Sequence, residues 1–192
     1  MTTADLMQRL FEHLERLGKP LRVHSRPGLP PERVREAVEG IGLEANQELV
    51  DLYGFRNGAS GADGVILDAV GLFPGHYWLT LDEAVETWEA ISDDDRWRTA
   101  WFPIFATGEG DFYAVVLDPE SPSYGAVVGF LLGDDEQLVE YRSLTDMLST
   151  LDRAYAAGLF TLEDGALEGD FETLGAFAHE VQGGFQPYPF ES

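Results

Sequence analysis

The sequence predicts an α+β fold, an antiparallel-rich mixed sheet of about five to six strands with helices packed against it. Three observations lead there. Apolar residues recur at three- and four-residue steps before residue 57 and again after residue 143. Between 101 and 141 the pattern shortens to runs of β-branched and aromatic residues broken by Gly, Pro and Asp. The 192 residues, 44% hydrophobic and 12% aromatic, suffice for one cored domain without disulfide or metal staples.

In order along the chain, residues 4–17 form an amphipathic helix on Leu6, Met7, Leu10, Phe11, Leu14 and Leu17, ended by Gly18 and Pro20. Pro31 suits the first position of a short helix over 31–39. A helix over 44–56 carries Leu49, Leu52, Tyr53 and Arg56 on one side and stops at Asn57-Gly58, before a Gly-rich loop from Ala59 to Gly64. Val65-Ile66-Leu67 and Ala69 to Phe73 read as short strands. Thr80-Leu81-Asp82-Glu83 matches a capping box, opening a helix that turns Leu81, Ala84, Val85, Trp88 and Ile91 inward.

Strands follow at Trp101–Ala106, Phe112–Leu117, Ala126–Leu132 and Leu138–Tyr141, with links short enough for an antiparallel meander. Ser143 caps a helix that buries Leu144, Met147, Leu148, Leu151 and Tyr155 and ends at Gly158. A short helix fits 170–182. The end, from Gly183 to Phe190, is too rich in Gly and Pro for regular structure. Its aromatics, Phe185, Tyr188 and Phe190, either dock on the protein or hang free.

Charge narrows the function classes. The net charge is −23, and residues 61–192 hold 26 acids against four bases. Such a field repels nucleic acid and anionic membrane and attracts cationic partners; it also serves solubility, and both readings stay open. No apolar run is long enough to span a bilayer, and the N-terminus lacks a signal pattern, so a cytoplasmic location is expected.

Catalytic templates fail on spacing. Gly58-Ala59-Ser60-Gly61-Ala62 has Ala where a nucleophile elbow ends in Gly. Gly108-Glu109-Gly110-Asp111-Phe112-Tyr113 lacks the last Gly of a dinucleotide loop. His13, His24, His76 and His179 are scattered, there is no cysteine, and Asp93-Asp94-Asp95 lacks the alternation and glycine of a calcium loop. No catalytic residue, cofactor or metal site is expected. Trp97 and Trp101 read as core rather than as stacking platforms.

The order of several loose motifs resembles the SUKH superfamily, the Smi/Knr-type domains. Glu48-Leu49-Val50-Asp51-Leu52-Tyr53 ending in Asn57-Gly58 is similar to its "ELYRLHNG" helix, with Arg56 where His is common. Leu79-Thr80-Leu81-Asp82-Glu83-Ala84 resembles "LSLEEA". Trp101-Phe102-Pro103-Ile104-Phe105, Gly108, Gly110-Asp111, Leu117-Asp118, then Gly125 and Val127, resembles the central "WxPI…GxGD…LD…G.V" signature. Leu144 to Leu148 resembles the closing helix.

The resemblance implies a SUKH-like domain over 25–158, flanked by an N-terminal helix extension over 1–24 and an acidic extension over 159–192. It further implies a non-enzymatic protein-binding role, as in fungal cell-wall-assembly regulators or bacterial immunity proteins that neutralise toxins. Within it, Trp101 and Ile104 would fill the sheet–helix interface, Pro103 would belong to the same strand, and Gly108, Gly110 and Gly125 would sit in turns. Asp111 and Asp118 would hydrogen-bond turn backbone.

Charge and resemblance together suggest a basic protein partner, a toxin nuclease domain, held by loop acids: Asp93, Asp94, Asp95, Asp134, Asp135, Glu136 and Glu109. A regulatory scaffold is the alternative, and a hydrolase using a carboxylate pair is the third reading.

Overall fold

The computed structural model describes residues 1–59 and 67–190. Each main helix begins where its unpaired N–H groups are taken up by a side chain or reduced by a proline. Thr2 and Asp5 form a capping box on α1 (Thr3–Arg16). A short strand β1 (Ser25–Pro27) precedes α2 (Pro31–Gly40), which starts on Pro31, a residue with no N–H to satisfy. Asn46 caps α3 (Gln47–Phe55) by accepting from the Leu49 N–H at 2.9 Å. Strand β2 (Arg56–Ala59) follows and pairs with β1.

The next segment departs from expectation. A one-turn helix α4 (Leu67–Val70) replaces the first part of the strand expected over 69–73, and β3 (Gly71–Phe73) keeps only its end. The turn presents the Asp68 carbonyl to the buried Lys19 ammonium, which also donates to Gly165 O at 3.1 Å. Val65, Ile66 and the loop from Ser60 to Gly64 lie outside the described residues.

Strand β4 (His76–Trp78) leads to α5 (Leu81–Ile91), opened by the expected capping box: Glu83 N donates to Thr80 Oγ1 at 3.2 Å, and Thr80 N donates to Glu83 Oε2 at 2.8 Å. Then come β5 (Trp101–Ala106), β6 (Phe112–Val116), β7 (Val127–Phe130) and β8 (Leu138–Tyr141). Ser143 caps α6 (Leu144–Ala156), whose first turn also donates to the Glu48 carboxylate of α3, from Leu144 N at 3.1 Å. A hairpin, β9 (Thr161–Glu163) and β10 (Ala166–Glu168), precedes α7 (Phe171–Val181), and β11 (Tyr188–Pro189) closes the chain.

The main sheet has seven strands in the order β11-β8-β7-β6-β5-β4-β3. The expected α+β class holds, with two differences. Every pairing is antiparallel rather than mixed. The strands exceed five to six because the Gly/Pro-rich tail supplies β11, pairing Tyr188 with Val139 and Pro189 with Leu138. Pro can join there because it lies on the edge strand.

The sheet is buried on both faces by different means. One face meets the helices: Phe102, Ile104, Phe105, Val115 and Val127 pack with Leu6, Leu10, Leu52, Tyr53, Met147 and Leu148. The opposite face carries Trp101, Ala114, Val116, Val128, Phe130 and Val139, with Trp97 packed among them. Trp101, expected at the sheet–helix interface beside Ile104, therefore lies on the far face, since neighbours in a strand point to opposite sides. Trp88 and Ile91 of α5 also turn to that face. Phe185 and Phe190 complete it, with Phe190 edge-on to Trp101 at 5.0 Å.

Candidate functional site

Alternate turns of a meander project from the same end of a sheet. Here those turns are 74–75 between β3 and β4, 107–111 between β5 and β6, and 131–137 between β7 and β8. The last two touch: Asp111 Oδ1 accepts from Leu132 N at 2.8 Å, and a Cβ on Gly110 would meet Leu132 Cδ2 at 2.9 Å. Gly108 and Gly110 stand at φ +84 and +107, conformations that glycine adopts without strain.

The segment between α5 and β5 reaches the same place across the far face of the sheet. Arg96 holds it there. Its guanidinium donates to both oxygens of Asp94, at 3.0 and 2.8 Å, and to the Leu132 carbonyl, and it lies over the Phe130 ring at 5.7 Å. The paired guanidinium keeps the Asp94 carboxyl down at about 2. The loops 93–95 and 131–137 are thereby joined through one residue.

Of the acids singled out in the sequence, Asp93, Asp95, Glu109, Asp134, Asp135 and Glu136 are exposed on these loops. Asp94 is half-buried and engaged with Arg96. Asp95, Asp135 and Glu136 line a cavity of about 260 Å³ with Trp101 and Phe190. The buried Trp101 Nε1–H has no acceptor among the described residues. Of the other motif residues, Pro103 sits at a bulge between β5 and β6, and Asp118 Oδ1 accepts from Glu120 N at 2.9 Å. Gly125, at φ +81, donates its N–H to Val116 O at 2.8 Å.

Two features were not read from the sequence. Strand β7 ends at Phe130 rather than Leu132, which leaves Leu131 and Leu132 44% and 47% exposed inside the ring of acids. Two adjacent leucines before Gly133-Asp134 were the available sign.

The second feature is Glu140, on the helix side of the sheet. Its Oε2 accepts from Tyr113 Oη–H at 3.0 Å, and burial pushes the carboxyl up. The bulge between Val127 and Val128 lays it over Gly129, where any Cβ would collide with Oε1. The Tyr113–Glu140 pair separates two cavities. One, about 240 Å³, lies under α7 and the tail; the other, about 390 Å³, opens beside Leu131 and takes in His76 and Asp111. Among the described residues no three His, Asp or Glu side chains gather as metal ligands. No helix among the described residues is long and apolar enough to cross a membrane.

A family model described as SMI1 / KNR4 family (SUKH-1) matches residues 28–150, from the turn before α2 to the middle of α6. No curated protein matches the chain.

Proposed function

Because the chain belongs to the SMI1 / KNR4 family (SUKH-1), we propose that it is a non-catalytic protein-binding domain and, more narrowly, an immunity-type inhibitor of a basic toxin of the nuclease class. The observation that carries this reading is the convergence of loops 93–95, 107–111 and 131–137 around the exposed Leu131 and Leu132. An apolar centre with a charged rim is how protein interfaces are built: the centre supplies affinity, and the rim supplies steering and selectivity. Nuclease domains are basic because they grip phosphate, so an acidic rim attracts them over distances of about a Debye length. The location follows as cytoplasmic, where an immunity protein meets an incoming toxin.

The test is association kinetics with a toxin nuclease domain encoded beside this protein, across a salt series. Replacing Asp134, Asp135 and Glu136 by Asn and Gln is expected to lower the on-rate and flatten its salt dependence, with folding stability little changed. An on-rate indifferent to salt and to neutralising all the exposed loop acids would move the binding face elsewhere.

A second reading has one observation behind it: Glu140 and Asp111 line the same cavity, so a carboxylate-pair hydrolase is a defined alternative. Asp111 is already committed to the Leu132 N–H, and Glu140 to the Tyr113 hydroxyl, which favours binding over chemistry. Glycoside or phosphoester hydrolysis abolished by both Glu140→Gln and Asp111→Asn would reverse the order of the two readings.

A further inference from the structure

The cavity beside Leu131 has a composition that selects its occupant. Glu140 Oε1 receives no hydrogen bond from the described residues. His76 places Nδ1 3.0 Å from Pro74 O, a carbonyl that can only accept. Nδ1 therefore carries a proton, and in the neutral ring Nε2 is left as an acceptor. Asp111 adds a second carboxylate. Among the described residues no Lys or Arg lines the space, while Phe112 and Tyr113 supply aromatic walls.

An anion would meet two carboxylates there, and a purely apolar group would leave Glu140 Oε1 facing it unpaired. A planar cation satisfies every wall at once. It donates to Glu140 and His76, and its stem or face packs on the rings and on Leu131. The missing side chain at Gly129 is what gives the Glu140 carboxylate room on this side of the sheet.

We propose that this recess receives one arginine side chain of the protein partner, seated beside Leu131 at the border of the acidic rim. This rests on the protein-binding reading above and names its anchor. A single cation desolvated in a pocket and surrounded by water-excluding contacts is a recurrent form of interface hot spot. A guanidinium matches the fixed carboxylate and the ring faces better than an ammonium, which is a compact point charge.

The experiment needs no partner. The isotope-labelled full chain is titrated with N-acetylarginine methylamide and, separately, with the neutral citrulline counterpart, and amide shifts are followed by NMR. The expected result is saturable binding at about millimolar affinity, as a ligand of this size allows. Shifts should centre on Gly129, Leu131 and Asp111, with citrulline weaker by at least about tenfold.

Glu140→Gln should abolish the response while keeping an oxygen for the Tyr113 hydroxyl. Asp111→Asn, which keeps its oxygen for the Leu132 N–H, should weaken the response and serves if Glu140→Gln does not fold. The triple change at Asp134, Asp135 and Glu136 should leave it intact. No saturable shift at tens of millimolar, an equal response to citrulline, or an unchanged response in Glu140→Gln would overturn the proposal. Such a failure leaves the rim reading standing, whereas a salt-indifferent on-rate defeats the rim and says nothing against the recess.

Discussion

The side-chain oxygen of Asn57 accepts a hydrogen bond from the backbone N–H of Leu81, 2.8 Å away at the buried first residue of α5. Beside it Gly58 stands at φ +68, and a Cβ there would come within 2.5 Å of Thr80 N. The Asn-Gly pair thus does more than follow the end of α3: it docks β2 against the start of α5.

That docking predicts two losses. Asn57→Ala leaves the buried Leu81 N–H without a partner and should cost about 1–3 kcal/mol. Gly58→Ala adds backbone strain to a backbone collision and should cost about 2 kcal/mol or more. Chemical denaturation measures both. Midpoints that match the parent protein would show that the contact contributes nothing.

Trp101 is 1% exposed and packs edge-on to Trp97 at 5.4 Å. Trp101→Ala should therefore destabilise the fold by about 3–5 kcal/mol. A barely shifted denaturation midpoint would return Trp101 to the role of a ligand platform.

The tail is the other cover of that face. Phe190→Ala removes the ring standing on Trp101 and should cost about 1–2 kcal/mol. Indole emission should shift to the red, and quenching by acrylamide should rise. Unchanged emission would mean that the tail leaves this face in solution.

Elements that announce themselves through chemistry were legible in the sequence. Thr80 with Glu83, Ser143 and Pro31 each mark a helix start by satisfying or removing an N–H, and each helix begins there. The β9–β10 hairpin has an equally readable mark in the sequence. Asp164-Gly165, at φ 50 and 91, is the two-residue turn that joins it.

Other features depend on pairing at a distance. Glu140 looks like the solvent side of an alternating strand, and only the bulge in β8, of which it is the extra residue, brings it against Tyr113. The exposed acids of the rim were visible as loop residues, but their meeting depends on Arg96 crossing the sheet to Leu132, 36 residues away in sequence. The tail hid its strand because Gly and Pro usually argue against one, and an edge position is the exception.

Burial raises the Glu140 carboxyl, with the Tyr113 hydrogen bond opposing it. Around it stand His76, whose imidazole burial pushes down, Asp111, His179 across the α7 cavity, and the phenols of Tyr113 and Tyr141, both pushed up by burial. A carboxyl raised in the folded state favours its neutral form there. Its contribution is fully present below the unfolded value of about 4.3 and is lost as pH rises through the folded one. Glu140→Gln should therefore gain stability relative to the parent protein between about pH 4 and pH 7.5. Melting curves that shift in parallel at both values would show that the folded and unfolded carboxyls titrate alike.

Asp94 runs the opposite way, and Arg96 is the reason. The guanidinium and the Arg96 backbone N–H both donate to Asp94, lowering it to about 2. A carboxyl lowered in the folded state stabilises it above the unfolded value of about 3.9, and that contribution is lost as pH falls toward 2. Arg96→Gln should raise Asp94 toward the ordinary carboxylate range in an NMR titration of side-chain carbonyl shifts, with the backbone N–H at 96 keeping part of the lowering. The same change removes the donor to the Leu132 carbonyl. Amide exchange in 131–136 should then quicken, because that turn loses its tie to the 93–95 loop. An Asp94 value in the variant unchanged from the parent, with exchange unaltered, would show that the two acidic loops hold their places without Arg96.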